Sequence, residues 1–225
     1  MKPYYDEDGI TIYCGDCRDI LPVLPIGNLV LTDYPYGNDT QYGQYKDTRE
    51  NLAKLIADTM PLILKKAPVS LVACGIANIF MYPKPDWVLS WHYENGVGSS
   101  HWGYNCWQPI LAYGPDPYLA NCLGRRSDAA PHLPLEKVLF LDHPCPKPLS
   151  TWKWFLLRGS VNRNDLVIDP FMGIGTTLMA AKQIGRRAIG IELEERYCEG
   201  AVKRLMQEIT VFEEAPILVE QEKFL

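Results

Sequence analysis

Two short stretches of this chain carry residue types that chemistry requires. Asp33-Tyr34-Pro35-Tyr36-Gly37 puts a carboxylate, a stiffening proline and aromatic rings into one turn. Asp169-Pro170-Phe171-Met172-Gly173-Ile174-Gly175-Thr176-Thr177 puts a second carboxylate ahead of two glycines and two hydroxyls. Each follows an apolar run, Leu29-Val30-Leu31 and Leu166-Val167-Ile168, that reads as a buried strand. A carboxylate ending a parallel strand lies in the crevice where open α/β sheets bind ligands. The two can therefore face one pocket, a cofactor on one side and a polar substrate group on the other, although most of the chain separates them.

The second stretch reads as strand, turn and helix, with Gly173 and Gly175 where backbone must approach a ligand closely and Gly185 closing the helix. The next strand ends in Ile189-Gly190-Ile191-Glu192, whose carboxylate is placed to accept from both hydroxyls of a ribose. Three ligands compete for such a turn. A phosphate-binding loop fails, because Gly175-Thr176-Thr177 lacks the lysine that holds phosphates. A dinucleotide remains open, but Leu178 stands where the third glycine belongs. S-adenosylmethionine, with a ribose and no phosphate, fits best. Asp169 would then meet its cationic amino-acid end and Glu192 its ribose.

The first stretch suits an aromatic amine. Such a nitrogen is a poor nucleophile because its lone pair is delocalised into the ring. Accepting its two hydrogens on the Asp33 carboxylate and the Tyr34 carbonyl would pull the nitrogen towards sp³, with Tyr36 stacked on the base. The bland alternative is that Asp33 caps a turn and Tyr36 fills a gap. The location at a strand end opposite the glycine turn weighs against it.

The elements that position these turns alternate as a doubly wound, mostly parallel α/β sheet does. Strands are expected at 10–13, 29–32, 69–73, 87–93, 107–113, 138–141, 166–169 and 187–192. Helices are expected at 47–66, opening after Gly75, and at 149–157, 176–184 and 195–209. Pro61 should kink the first of them. The pattern divides one domain into a catalytic half (1–113), an inserted recognition segment (114–142), a cofactor half (143–211) and a tail (212–225). The insert is rich in Pro and Gly, and loops of that length are usually functional or disordered.

Composition sets limits. With 47% hydrophobic and 22% charged residues over 225 positions, a single globular domain is expected. No apolar run approaches the length needed to span a bilayer, and residues 1–8 show no apolar signal region, so a cytoplasmic protein without a membrane partner is expected. Seven cysteines read as reduced thiols; Cys14 and Cys17 have no second pair, so no metal is expected. A net charge of −5 argues against tight nonspecific nucleic-acid binding but leaves room for a local basic face.

Taken together, these residues resemble the DNA amino-methyltransferases that alkylate exocyclic nitrogens of adenine or cytosine. The resemblance is closest to the β class, whose catalytic motif precedes its cofactor motif, and to compact phage-type members. Asp169 to Thr177 is similar to the family's Asp-Pro-Phe-x-Gly-x-Gly-Thr-Thr motif, and Asp33 to Tyr36 to its Asp-Pro-Pro-Tyr, with Tyr34 replacing the first proline. His143-Pro144-Cys145-Pro146-Lys147-Pro148 is similar to a stretch lining the methionine end of the cofactor, and Asp16 to an acid that accepts from the cofactor's adenine. The resemblance thus implies Asp33, Tyr34, Pro35 and Tyr36 as catalytic. Asp16, His143, Lys147, Asp169, Phe171, Gly173, Gly175, Thr176, Thr177 and Glu192 would bind S-adenosylmethionine. Double-stranded DNA is the implied partner, with a flipped-out base and Arg125, Arg126 and Lys137 on phosphate or base edges. Asp33 in first place implies adenine N6; cytosine N4, or a homologue that binds without catalysing, are the alternatives. So small a recognition segment implies a short site or a second subunit, and the resemblance allows for a cognate restriction nuclease. An NAD-dependent oxidoreductase is the remote reading.

Overall fold

The computed structural model describes residues 2–93, 98–131 and 147–206. The strand expected at 138–141, the tail 212–225, His143 and Lys137 lie outside them. Eight strands form one sheet: β1 (Tyr5–Glu7), β2 (Ile10–Cys14), β3 (Leu29–Asp33), β4 (Val69–Ala73), β5 (Trp87–His92), β6 (Trp107–Tyr113), β7 (Leu166–Asp169) and β8 (Arg187–Glu192). Their spatial order is β1-β2-β8-β7-β3-β4-β6-β5. The central run β2-β8-β7-β3-β4 is parallel, and β1, β6 and β5 pair antiparallel at the two ends.

Leu29, Val30 and Leu31 are all buried because β3 is covered on both faces, which is what an unbroken apolar run requires. On one face Leu29, Leu31 and Val167 pack with Trp152, Phe155 and Leu156 of α4 (Leu149–Gly159), with α5 (Thr176–Gln183) and with α6 (Glu195–Met206). On the other face Val30, Val72 and Ile168 meet α1 (Cys17–Ile20) and the Leu52, Ile56, Met60 and Ile63 stripe of α2 (Arg49–Lys66).

Helix α2 begins two residues later than the periodicity indicates, because Thr48 is its N-cap and accepts the Asn51 N–H at 3.1 Å. It also runs through Pro61 as one assigned helix. The proline sits on the exposed side, as does Ala57, so the carbonyl it frees faces water. Several short elements had no signal in the periodicity: β1, α1, a hairpin pairing Thr40–Tyr42 with Tyr45–Asp47, a second pairing Ser99–Ser100 with Gly103–Tyr104, and α3 (Pro117–Ala120).

The two motif strands are neighbours. β7 pairs with β3, Ile168 beside Val30, and the Thr32 hydroxyl donates to Asp169 Oδ1 at 2.7 Å. From β3 the chain crosses by α2 to β4 on one side; from β7 it crosses by α5 to β8 on the other. Opposite departures leave a crevice between the two carboxyl ends, the switch point at which doubly wound sheets bind ligands.

Candidate active site

A cavity of about 520 Å³ opens at that crevice, lined by Asp33 to Tyr36 from one motif and Asp169 to Gly173 from the other. Asp16, Lys147, Thr176, Thr177 and Glu192 also line it, as do Tyr42, Gln44 and Tyr45 of the first hairpin.

The glycine turn is held mainly by residues close to it in sequence, with Thr32, Trp152 and Arg204 reaching it from other elements. Asp169 is buried; its Oδ1 accepts the Phe171 N–H at 3.1 Å and its Oδ2 the Thr177 hydroxyl at 2.5 Å. Burial pushes its carboxyl up to about 6, against those hydrogen bonds. Gly175 caps α5 at φ +76°, and a Cβ there would come within 3.0 Å of the Ala201 Cβ. Glu192 Oε2 accepts the Gly173 N–H at 3.1 Å and Oε1 the Glu194 N–H at 2.8 Å. Burial raises the Glu192 carboxyl to about 7.

The catalytic turn is held from outside. Buried Asp47 accepts the Tyr36 and Gly37 N–H groups at 2.8 and 2.9 Å, and Asn78 Nδ2 donates to the Tyr36 carbonyl at 2.6 Å. Tyr34, where the family has proline, is an anchor. Its N–H, which proline would lack, donates to the Ala73 carbonyl at 3.2 Å. Its ring is buried edge-on against Tyr82 and Phe171, with centroids 5.3 and 4.6 Å away, and its hydroxyl pairs with Thr59 at 2.6 Å. Among the described residues nothing donates to the Tyr34 carbonyl.

Asp33 collects donors. The Tyr36 hydroxyl donates to Oδ1 at 2.6 Å and the Lys147 ammonium pairs with Oδ2. Lys147 Nζ also lies 5.1 Å from the Tyr36 ring centroid. Lys147 thus lines the cavity, where the resemblance implied the cofactor, with its ammonium on the Asp33 carboxylate. Asp16 caps α1, and its carboxylate is gripped by the Arg18 guanidinium, which holds it below the usual carboxylate range.

Asp47, Asn78 and Gln108 were missed. Gln108 Nε2 donates to the Tyr36 hydroxyl at 2.8 Å. Nothing local marks these residues: Asp47 ends the first hairpin, Asn78 lies in the short helix Ile76–Met81 and Gln108 lies near the start of β6, and they meet only at the turn.

Arg125 and Arg126 are not brought to the cavity. Tyr113 pairs with Ser70, three residues (about 10 Å along a strand) from Ala73, which pairs with Asp33. Helix α3 follows Tyr113 at that remote edge, and the Arg126 guanidinium lies 5.0 Å from the Tyr118 ring there. Among the described residues no group of three metal-ligating side chains gathers, and no helix is long and apolar enough to cross a membrane.

Fold and cavity define the methyltransferase class of doubly wound domain. A family model described as DNA methylase matches residues 123–203. A protein of Escherichia coli (strain K12) named as a methylase, YubD, is 39% identical over 209 residues, covering 85% of this chain and 88% of that one. The chain belongs to the β-class DNA N6/N4 amino-methyltransferase family. Two solved structures share its fold. The M1.HpyAVI complex with S-adenosylmethionine matches with TM-score 0.63 and 23% identity, over 88% of this chain and 99% of that one. The cytosine-N4-specific PvuII DNA methyltransferase matches with TM-score 0.71 and 16% identity, over 93% and 91%.

The residues present fit S-adenosylmethionine, the methyl donor of this family. Glu192 ends β8 in the cavity as an acceptor for ribose hydroxyls, the glycine turn offers close backbone approach, and no lysine stands where phosphates would need one.

Proposed function

We propose that this protein methylates the exocyclic N6 of adenine in duplex DNA, taking the base out of the stack. What supports this most is that the Asp33 turn and the glycine turn share one cavity on adjacent strands. When bound, the donor supplies an electrophilic sulfonium methyl group. Asp33 and the unclaimed Tyr34 carbonyl accept the two amine hydrogens, which concentrates the lone pair on nitrogen. Tyr36 stacks on the base, and the buried walls exclude water. Positioning of this kind is worth on the order of 7–11 kcal/mol in favourable cases.

Asp16, Phe171, Gly173, Gly175, Thr176, Thr177 and Glu192 are assigned to the donor, together with Asp169, which acts through the turn it organises. DNA approaches the carboxyl edge, where Trp102 and Tyr104 stand exposed on the hairpin ahead of Gln108. In this reading segment 114–142 supports recognition from the side. A second copy of the chain and a cognate restriction nuclease are further partners, tested by sedimentation and by cleavage of unmodified DNA. The enzyme acts in the cytoplasm.

The test is transfer of label from methyl-tritiated S-adenosylmethionine to DNA from a methylation-deficient host, followed by nucleoside mass spectrometry. N6-methyladenine is the expected product. N4-methylcytosine would replace the base assignment, and no product would end the reading.

A further inference from the structure

We propose that Gln108 is a positioning residue for methyl transfer: held in one polarity between the acceptor-only Asp33 carboxylate and the Tyr93 hydroxyl, it keeps the Tyr36 hydroxyl aimed at Asp33. The inference rests on the function proposed above and deepens it.

Three hydrogen bonds run in one direction. The Tyr93 hydroxyl donates to Gln108 Oε1 at 2.7 Å, so Nε2 is the end that faces the catalytic turn. Nε2 donates to the Tyr36 hydroxyl oxygen at 2.8 Å and reaches towards Asp33 Oδ1 at 3.4 Å. A tyrosine hydroxyl has a single hydrogen, and with its oxygen accepting from Gln108 that hydrogen goes to Asp33 Oδ1, at 2.6 Å. Amide orientation is fixed by such networks, and this one has a single consistent polarity. With Oδ1 engaged by Tyr36 and Oδ2 by Lys147, the carboxylate plane is fixed and its remaining lone pairs have set directions.

Gln108 is 7% exposed and belongs to β6, hydrogen-bonded on both sides, so its scaffold is rigid. It does not line the cavity and acts from behind the turn. An ordinary core amide would satisfy itself on backbone. Here both ends of the amide bond to side chains, and the donating end serves only the two catalytic ones. Burying an amide is costly without partners, so a leucine would suit a purely structural role better.

The experiment compares wild type with Gln108→Leu, Gln108→Glu and Tyr93→Phe. Gln108→Glu turns the donating end into an acceptor, which draws the Tyr36 hydrogen away from Asp33. The expected loss in kcat is roughly 10²-fold, with donor affinity by calorimetry within about twofold of wild type. As pH falls and the introduced carboxyl gains a proton it can donate again, so kcat of this variant recovers; Gln108→Leu shows the loss without the recovery. Both variants keeping kcat within about threefold of wild type, or losing kcat and donor affinity together, would overturn the proposal.

Should either variant fail to fold, Tyr93→Phe removes one hydroxyl and nothing else. The side-chain amide protons of Gln108, followed by nitrogen-edited NMR, should be shifted downfield and protected from solvent exchange in wild type and should lose that protection in Tyr93→Phe. Free solvent exchange already in wild type would sink the relay. Wild-type protein that methylates no DNA would instead sink the functional reading, while the NMR arm still decides whether the polarity lock exists.

Discussion

The two turns that meet in the cavity are built on different plans. The glycine turn is held mainly from nearby in sequence: Asp169 binds Phe171 and Thr177, and Glu192 on the next strand binds Gly173, with Thr32, Trp152 and Arg204 adding bonds from other elements. The catalytic turn closes few contacts within itself and takes its shape from Asp47, Asn78, Ala73 and Gln108, each on a different element. The two carboxylates differ accordingly. Asp169 spends its oxygens on the protein and sits in a buried pocket; Asp33 is partly open and lines the cavity. In the function proposed above, the first organises the turn that takes the donor and the second acts on the substrate amine.

The largest expected effect separates these roles directly. Asp33→Ala should cut label transfer by about 10²–10³-fold and leave calorimetric donor affinity near wild type. Asp169→Ala should do the reverse, leaving two buried hydroxyls and an N–H without their acceptor, at about 1–3 kcal/mol each. Its signature is a lower denaturation midpoint and weak donor binding, before any effect on chemistry. If the two variants behaved alike, the contrast between the turns would be wrong.

A third prediction concerns the departure from the family pattern. Tyr34 stands where the family has proline, and its buried ring and N–H supply the stiffness that a proline's fixed φ would give. Tyr34→Pro should therefore destabilise by about 3–5 kcal/mol, the cost of emptying an aromatic site, read from urea denaturation. Tyr34→Phe loses only the Thr59 bond, about 1 kcal/mol.

The smallest effect is one of pH. The Glu192 carboxyl lies at about 7 in the folded chain, above its ordinary value of 4.5. The folded state therefore binds this proton more tightly than the unfolded one. The resulting stabilisation is full below the ordinary value and is lost as pH rises through about 7. Ribose hydroxyls favour the ionised form, so donor binding should tighten up to about tenfold between pH 6 and 8 and release protons. Calorimetry in buffers of different ionisation enthalpy measures this, and Glu192→Gln should flatten it.

The contrast between the turns also explains what was legible in the chain. Asp169, Phe171, Gly173, Gly175, Thr177 and Glu192 lie within a few residues or one strand of their partners, so spacing alone exposes them. Leu29 to Asp33 and Leu166 to Asp169 were readable as strands because burial on both faces leaves an unbroken apolar run. Asp47 reads as the start of a helix and Gln108 as one polar residue in a strand. Their partners lie far along the sequence, and no local period records a tertiary hydrogen bond. The position of Arg125 and Arg126 was not legible for the same reason: charge clustering says nothing of which edge of a sheet the cluster will occupy.

Strand β6 runs against β4, and its link from β5 therefore emerges on the edge where donor and substrate meet, carrying the Ser99–Tyr104 hairpin with it. That reversal stands the exposed Trp102 and Tyr104 on a small hairpin outside the sheet, so substitutions there can change what meets the cavity mouth without disturbing the parallel strands beneath.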